Sequence, residues 1–252
     1  MIRIDKISLR YGSALILDDI SLSIPRGGIT ALIGPNGAGK SSLLSLIARL
    51  QPLQSGSITV EDLPVDRTSG RDLAKIIAIL RQDLAATARL RVRELVGFGR
   101  FPHSRGRLTP EDRSIVDRAI QQFGLADLSE RFLDTLSGGQ RQRAFVAMAF
   151  AQETDYLLLD EPLNNLDMYH ARALMRSLRA IADQHGKTIV IVLHDINHAA
   201  SHADRIIALK DGRIAADGAP SEILRPDVLA SIFGYEMRVE TIDGIPVALH
   251  FR

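Results

Sequence analysis

The chain has 252 residues, with 46% apolar and 24% charged residues and a net charge of +1. That length suits one large α/β domain or two small ones, and the near-neutral charge gives no bulk electrostatic grip on nucleic acid or membrane. Four Tyr, eight Phe and no Trp also argue against a base-stacking surface. With no cysteine, disulfides, thiolate zinc sites and cysteine nucleophiles are excluded.

The start, "MIRIDKISLRYG", has no apolar core followed by a cleavage site, so a secretory signal is not expected. Ile2 and Ile4, then Ile20, Leu22 and Ile24, alternate as half-buried, antiparallel strands do. "ITALIG" (29–34) reads as a buried strand, and a helix is expected from Lys40 to about Leu50. "SITV" (57–60) and "IIAIL" (76–80) are further strands. From about Asp83 to Gln152 the spacing becomes helical, which predicts a mostly helical insertion. Within it Thr109-Pro110-Glu111-Asp112 is a helix start, with Thr as cap and Pro in the first turn. "YLLLD" (156–160) returns to a buried strand, 168–184 is a helix ending near Gly186, and "TIVIVL" (188–193) is another buried strand. A short helix is expected near 226–233, between two Asp-Gly hairpins, the second at about 236–251. The strongest apolar runs fall short of the roughly 20 residues of a membrane span.

"GPNGAGKSS" (34–42) fits G-x-x-x-x-G-K-[ST] between a predicted strand and a predicted helix, the context that the phosphate loop needs. Gly34, Gly37 and Gly39 let the backbone curl, so that its N–H groups face phosphate oxygens. Pro35, Asn36 and Ala38 complete the loop, Lys40 brings a point charge, and Ser41, followed by Ser42, offers a hydroxyl to Mg²⁺. "YLLLDEP" ends a buried strand in two acids. Ligands of open α/β sheets bind outside such strand ends. Asp160 is the candidate for Mg²⁺ and Glu161 for polarising a water against the γ-phosphate. "DTLSGGQRQR" (134–143) looks like an anion-binding helix start, yet no lysine follows its glycines. His194, His198 and His202 fall at intervals of four, and His-Asp-x-x-His resembles a zinc-protease motif. That rival needs both histidines on one helix, whereas His194 sits at a strand end beside the candidate nucleotide chemistry.

In order, "GPNGAGKSS", "LSGGQ", "YLLLDEP", "NNLD" and "VLHD" resemble the nucleotide-binding subunit of ATP-binding cassette (ABC) transporters, over about residues 2–235. The resemblance implies an α/β fold over the whole of 1–252, a single ABC ATPase domain: a P-loop NTPase core with an N-terminal antiparallel β-subdomain and a helical subdomain insertion at about 83–152. It implies ATP and Mg²⁺ as ligands. Tyr11 matches the aromatic that stacks on adenine, and Gln82 the glutamine linking Mg²⁺ and water to the membrane partner, here after Arg81 rather than Pro. Glu161 matches the general base, His194 the γ-phosphate switch, and Asp167 the loop that crosses between subunits, with Asn164-Asn165 where Ser-Ala is frequent. Ser137, Gly138, Gly139 and Gln140 match the signature that closes over the ATP held by the other subunit's Lys40. The implied partners are a second copy, separate integral-membrane permease subunits and, indirectly, a substrate-binding protein. Nucleic acid is not expected, nor direct contact with iron. The implied place is the cytoplasmic face of a prokaryotic membrane, peripherally bound. "VRELVGFGRFPHSRGRLTPED" (92–112) and "LNNLDMYHA" (163–171) look like the ATPases of iron–siderophore importers, with cobalamin or haem import as alternative cargoes. A soluble, non-transport ABC ATPase is the alternative class; a metabolic P-loop kinase would leave "LSGGQ" unexplained.

Overall fold

The computed structural model describes residues 1–82 and 89–249. The opening of the expected insertion (83–88) and the last residues of the expected hairpin (250–251) lie outside the described residues. The chain divides into two compact units, Met1–Thr68 with Thr188–Arg252 and Ser69–Lys187.

The first unit begins with β1 (Ile2–Tyr11) and β2 (Ala14–Ile24), paired antiparallel from Ile2 opposite Ile24 to Tyr11 opposite Ala14. Ile2, Ile4, Ile7 and Leu9 are the buried residues of β1, so its alternation slips by one between Ile4 and Ile7. Lys6 there has φ 48°, and the register breaks at the same place. This is a β-bulge: one extra residue lets the apolar side chains keep facing the core. β3 (Gly28–Ile33) is buried along almost its whole length and leads to α1 (Lys40–Ile47). α1 ends three residues before the expected Leu50, because Arg49 turns left-handed (φ 52°) and its guanidinium caps the Val65 carbonyl at 3.1 Å. β4 (Ser57–Val60) pairs with the Ile2–Asp5 end of β1, and β5 (Leu63–Pro64) follows.

The second unit holds α2 (Gly70–Leu73), β6 (Ile77–Leu80), α3 (Val92–Phe98), α4 (Phe101–Ser104), α5 (Pro110–Gln122), α6 (Gly138–Ala151), β7 (Tyr156–Asp160) and α7 (Met168–His185). β6 and β7 pair in parallel, Ile77 opposite Tyr156 and Leu80 opposite Leu159. Among the described residues, 89–152 contains helices and turns, with a single isolated bridge, Arg91 to Phe132. The helical character expected there holds.

The chain then returns to the first unit with β8 (Thr188–Val192), α8 (Ile196–His202), β9 (Arg205–Lys210), β10 (Arg213–Gly218), α9 (Pro220–Ile223), α10 (Pro226–Phe233), β11 (Arg238–Ile242) and β12 (Ile245–Leu249). β3 lies between β8 and β9, parallel to both, with Leu32 opposite Val192 on one side and Ile207 on the other. Burial along both faces explains why "ITALI" and "TIVIV" are continuous apolar runs rather than alternating ones, and β3 has a neighbour on each edge as well. Both hairpins turn as the sequence indicates. Asp211-Gly212 and Asp243-Gly244 have positive φ at both residues, which matches the right-handed twist of the strands they join. The Asn197 amide docks β12 on α8, donating to the Ala248 carbonyl (3.1 Å) and accepting from its N–H (2.8 Å). Among the described residues, no helix is long and apolar enough to cross a membrane.

Three helices of the second unit meet at one buried ion pair. Arg100 precedes α4 and Asp112 lies in the first turn of α5; both are 5% exposed. Arg100 Nε donates to Asp112 Oδ1 (2.9 Å), and its Nη1 donates to the Ala151 carbonyl at the end of α6 (2.8 Å) and to Glu153 (3.2 Å). Asp112 also closes a capping box with Thr109, as "TPED" indicates. The Thr109 N–H, then the Arg100 guanidinium and the Thr109 hydroxyl, hold the Asp112 carboxyl below its usual range against the opposing effect of burial. Because the folded pKa is depressed, this stabilisation is fully present above the unfolded carboxylate range and is lost as pH falls through the folded value. Arg100→Ala should cost about 3–5 kcal/mol, since it leaves a buried carboxylate unpaired. Asp112→Asn should lower the melting midpoint at pH 7, with the gap to the parent closing as the pH is brought down through the carboxylate range. Melting curves across pH test this, and a gap that stays constant would contradict it.

Candidate nucleotide site

The phosphate loop lies in the first unit, between β3 and α1. Gly34 leaves the strand at φ 135°, and a Cβ there would sit 2.0 Å from the Leu209 carbonyl oxygen. Gly39 has φ 97°, and a Cβ on it would meet Leu17 Cδ2 at 2.5 Å. Only glycine fits either place. Lys40 is 5% exposed, and its Nζ donates to the carbonyls of Gly34 (2.8 Å) and Pro35 (2.9 Å). The loop therefore closes on its own lysine. Ala38 is buried, Asn36 and Gly37 are exposed, and Ser41 and Ser42 are half-buried in the first turn of α1. No side chain caps that helix, so its leading N–H groups suit an anion.

Tyr11 ends β1 at 48% exposure, and its hydroxyl meets the Gln51 amide oxygen at 2.8 Å. An exposed aromatic ring tethered by its hydroxyl is a platform for a flat apolar group. His194 is exposed two residues past β8, and Asp195 caps α8. His198 and His202 lie on α8 with ring centroids 6.2 Å apart, and His202 Nδ1 is 3.2 Å from the His198 carbonyl. His194 precedes the helix, so the His-Asp-x-x-His spacing does not form the one-helix pair a zinc protease uses.

The acids lie in the second unit. β7 is buried throughout and ends at Asp160, 6% exposed; Glu161 follows at 9% exposure and φ 50°. A left-handed glutamate is strained backbone, here at the point where the strand turns out. Gln82 Nε2 and Asn164 Nδ2 both donate to Glu161 Oε2, at 2.7 and 2.6 Å. Gln82 and Glu161, expected to act in one mechanism, are thus brought together. The Asn164 contact was missed by sequence reasoning, although the Asn in place of the frequent Ser was its signal.

Ser137 is the N-cap of α6. Its Oγ accepts from the Gln140 N–H (3.2 Å), and Gln140 Oε1 accepts from the Ser137 N–H (3.1 Å), a capping box. Gln140 is thereby engaged within its own helix start, while Gly138 is exposed and Gly139 half-buried. A Cβ on Gly138 would lie 3.3 Å from Asn165 Cβ, and one on Gly139 would lie 3.1 Å from Leu166 Cδ2. The glycines let this helix start rest against the loop that follows Glu161. Asp167 caps α7, accepting from the His170 N–H (2.8 Å). That backbone bond, then the His170 side chain, lowers its carboxyl pKa.

An uncapped, glycine-wrapped helix start with a buried lysine fits the oxygens of a triphosphate. In the first unit Ser41 offers a hydroxyl, and in the second Gln82 offers an amide and Asp160 a carboxylate, each by itself a hard oxygen donor of the kind Mg²⁺ takes. A strand–loop–helix of this kind, with buried acids ending a parallel strand, defines the class of P-loop nucleotide hydrolases.

The family model for ABC transporters matches residues 17–164. The petrobactin import ATP-binding protein FatE of Bacillus anthracis is 48% identical, over 99% of this chain and 100% of its own length. The petrobactin import ATP-binding protein YclP of Bacillus subtilis is 45% identical over the full length of both. The iron(3+)-hydroxamate import ATP-binding protein FhuC of Bacillus subtilis is 41% identical over 94% of this chain and 89% of its own. Among solved structures, a metal-chelate type ABC transporter in an inward-facing conformation superposes with a TM-score of 0.83 at 25% identity, covering 99% of this chain and 98% of that one. The dimeric post-hydrolysis state of the cassette MJ0796, bound to ADP and Pi, superposes at 0.78 with 27% identity, covering 87% and 99%. The chain belongs to the ABC transporter family, as an ATP-hydrolysing subunit with the ABC ATPase fold.

Gly34→Ala should disrupt the loop, because the intruding Cβ meets backbone rather than a movable side chain. Nucleotide affinity should fall at least about tenfold, the equivalent of roughly 1.4 kcal/mol. Titration with a fluorescent ATP analogue tests this; parental affinity would contradict the close packing.

Proposed function

We propose that this chain energises import of an iron(III)–siderophore complex. It acts as a pair of identical copies docked on separate permease subunits at the cytoplasmic face of a prokaryotic membrane, with a substrate-binding protein delivering the cargo. All of 1–252 works as one ABC ATPase domain. The observation that carries this reading is end-to-end likeness to import ATP-binding proteins named for petrobactin and iron(3+)-hydroxamate. The metal-chelate type transporter among the structural neighbours supports it further.

The chemistry follows from the residues. Tyr11 stacks on adenine, and the N–H groups of residues 34–42 with Lys40 hold the phosphates. Ser41, Gln82 and Asp160 would hold Mg²⁺, which would supply charge neutralisation at the phosphate oxygens. Glu161 orients the attacking water and accepts its proton, while His194 contacts the γ-phosphate. Ser137, Gly138 and Gly139 carry no lysine of their own because the partner copy's Lys40 supplies it. They bring a hydroxyl, N–H groups and the positive end of α6, a helix of 14 residues. Gln140 holds that helix start in shape. Asp167 communicates across the pair. Closure on ATP and reopening after hydrolysis drive the permease through the surface near Gln82.

The stretch at 92–112 that resembles siderophore importers has an internal role as well. Its Arg100 and Asp112 form the buried ion pair that joins three helices. It marks kinship without touching cargo, and iron is not expected to meet this subunit.

Glu161→Gln should keep ATP binding and lose turnover by about 100-fold or more, the scale of general-base catalysis. Steady-state phosphate release measures it, and a normal rate would overturn the base assignment. For the cargo, cells that depend on this chain should lose uptake of radioiron–siderophore with Lys40→Ala. Loss of cobalamin or haem uptake instead would overturn the iron reading.

A further inference from the structure

Asn164 stands where Ser is frequent in the resembling motif. It makes two bonds to the same residue. Its Nδ2 donates to Glu161 Oε2 at 2.6 Å, and its N–H donates to the Glu161 carbonyl at 3.2 Å. The first bond shares its acceptor with Gln82 Nε2, at 2.7 Å. Two amide donors on one carboxylate oxygen restrict rotation of the carboxylate, and Glu161 is already confined by burial and a left-handed backbone. Asn165, next in chain, also turns left-handed at φ 64°, and the start of α6 at Gly138 packs against it.

We infer that Asn164 is a positioning residue for Glu161. The two donors differ in tether. Gln82 lies 79 residues away in sequence, at the edge of the segment leading to α3, whereas Asn164 is three residues away on the same turn. If Gln82 left Glu161 to hold a metal ion, Asn164 would keep the carboxylate aimed. Serine at this position has a shorter side chain without the amide donor, so the Asn is a particular solution to holding the base. Because Asn165 and Leu166, next in the same turn, pack against Gly138 and Gly139, that turn ties the base of one ATP site to the helix start that serves the other. This inference rests on the reading of Glu161 as general base.

The test uses the full chain, with ATP saturation curves and phosphate release for Asn164→Ala, Asn164→Asp, Glu161→Gln and the double variant Asn164→Ala/Glu161→Gln. Losing one aimed hydrogen bond to a charged group predicts a kcat roughly tenfold lower for Asn164→Ala. KM for ATP should stay within about twofold, because the contact touches the base and not the nucleotide. Asn164→Asp, equal in size but without the donor and with a like charge, should lose more than Asn164→Ala. The double variant should be no slower than Glu161→Gln alone, since the asparagine acts only through that carboxylate. A kcat for Asn164→Ala within twofold of the parent, or a loss carried in KM, would overturn the inference. So would a double variant about tenfold slower than Glu161→Gln. If Glu161→Gln itself turns over normally, the base reading fails instead, so the two failures are distinct.

Discussion

Buried parallel strands end where their backbone must turn sharply, and the chemistry of this protein depends on how two of those ends are made. At the end of β3 the turn needs Gly34, because the Leu209 carbonyl leaves no room for a Cβ. At the end of β7 the chain instead takes a glutamate through a left-handed conformation and holds it with two amides. One end yields a ring of N–H donors closed by a lysine, suited to phosphate. The other yields an aimed carboxylate. The apolar runs of β3, β7 and β8 make both possible, since only rigid, buried strands can fix such ends to within fractions of an ångström.

The second unit repeats this economy in its helices. Arg100 joins the starts of α4 and α5 to the end of α6, and α6 begins at the Ser137 capping box. A helix held at its far end and squared at its near end presents Gly138 and Gly139 in a defined direction. The absence of a lysine beside them is then no defect. Under the proposed pairing, it is what a donor surface would look like with the charge supplied by another chain.

Much of this was legible in the amino-acid order. The phosphate loop, the acids after "YLLL", the Thr109 cap and both Asp-Gly turns are local features, set by backbone conformations that few residues tolerate. What was not legible depends on distance in sequence. Alternation in β1 is visible only as far as Ile4, since the bulge at Lys6 shifts its phase. Helix spacing carries α1 to Leu50, but Arg49 turns left-handed and the Leu50 N–H closes back on the Ser45 carbonyl. Arg100 and Asp112 read as marks of a transporter subfamily, and their pairing needed the packing of three helices. Asn164 was visible as a departure from a common pattern, yet its bond to Glu161 depended on the turn between them.

The central claim is that each ATP site is completed by a second copy. Because the chain has no cysteine, single cysteines can be introduced without a competing thiol. One preparation would carry Ser137→Cys and another Asn36→Cys, mixed with ATP under mild oxidation and resolved by non-reducing electrophoresis. The account predicts a mixed cross-linked dimer that forms with ATP and disappears with ADP. Failure of the mixed dimer to form with ATP, in chains that still hydrolyse it, would contradict the account.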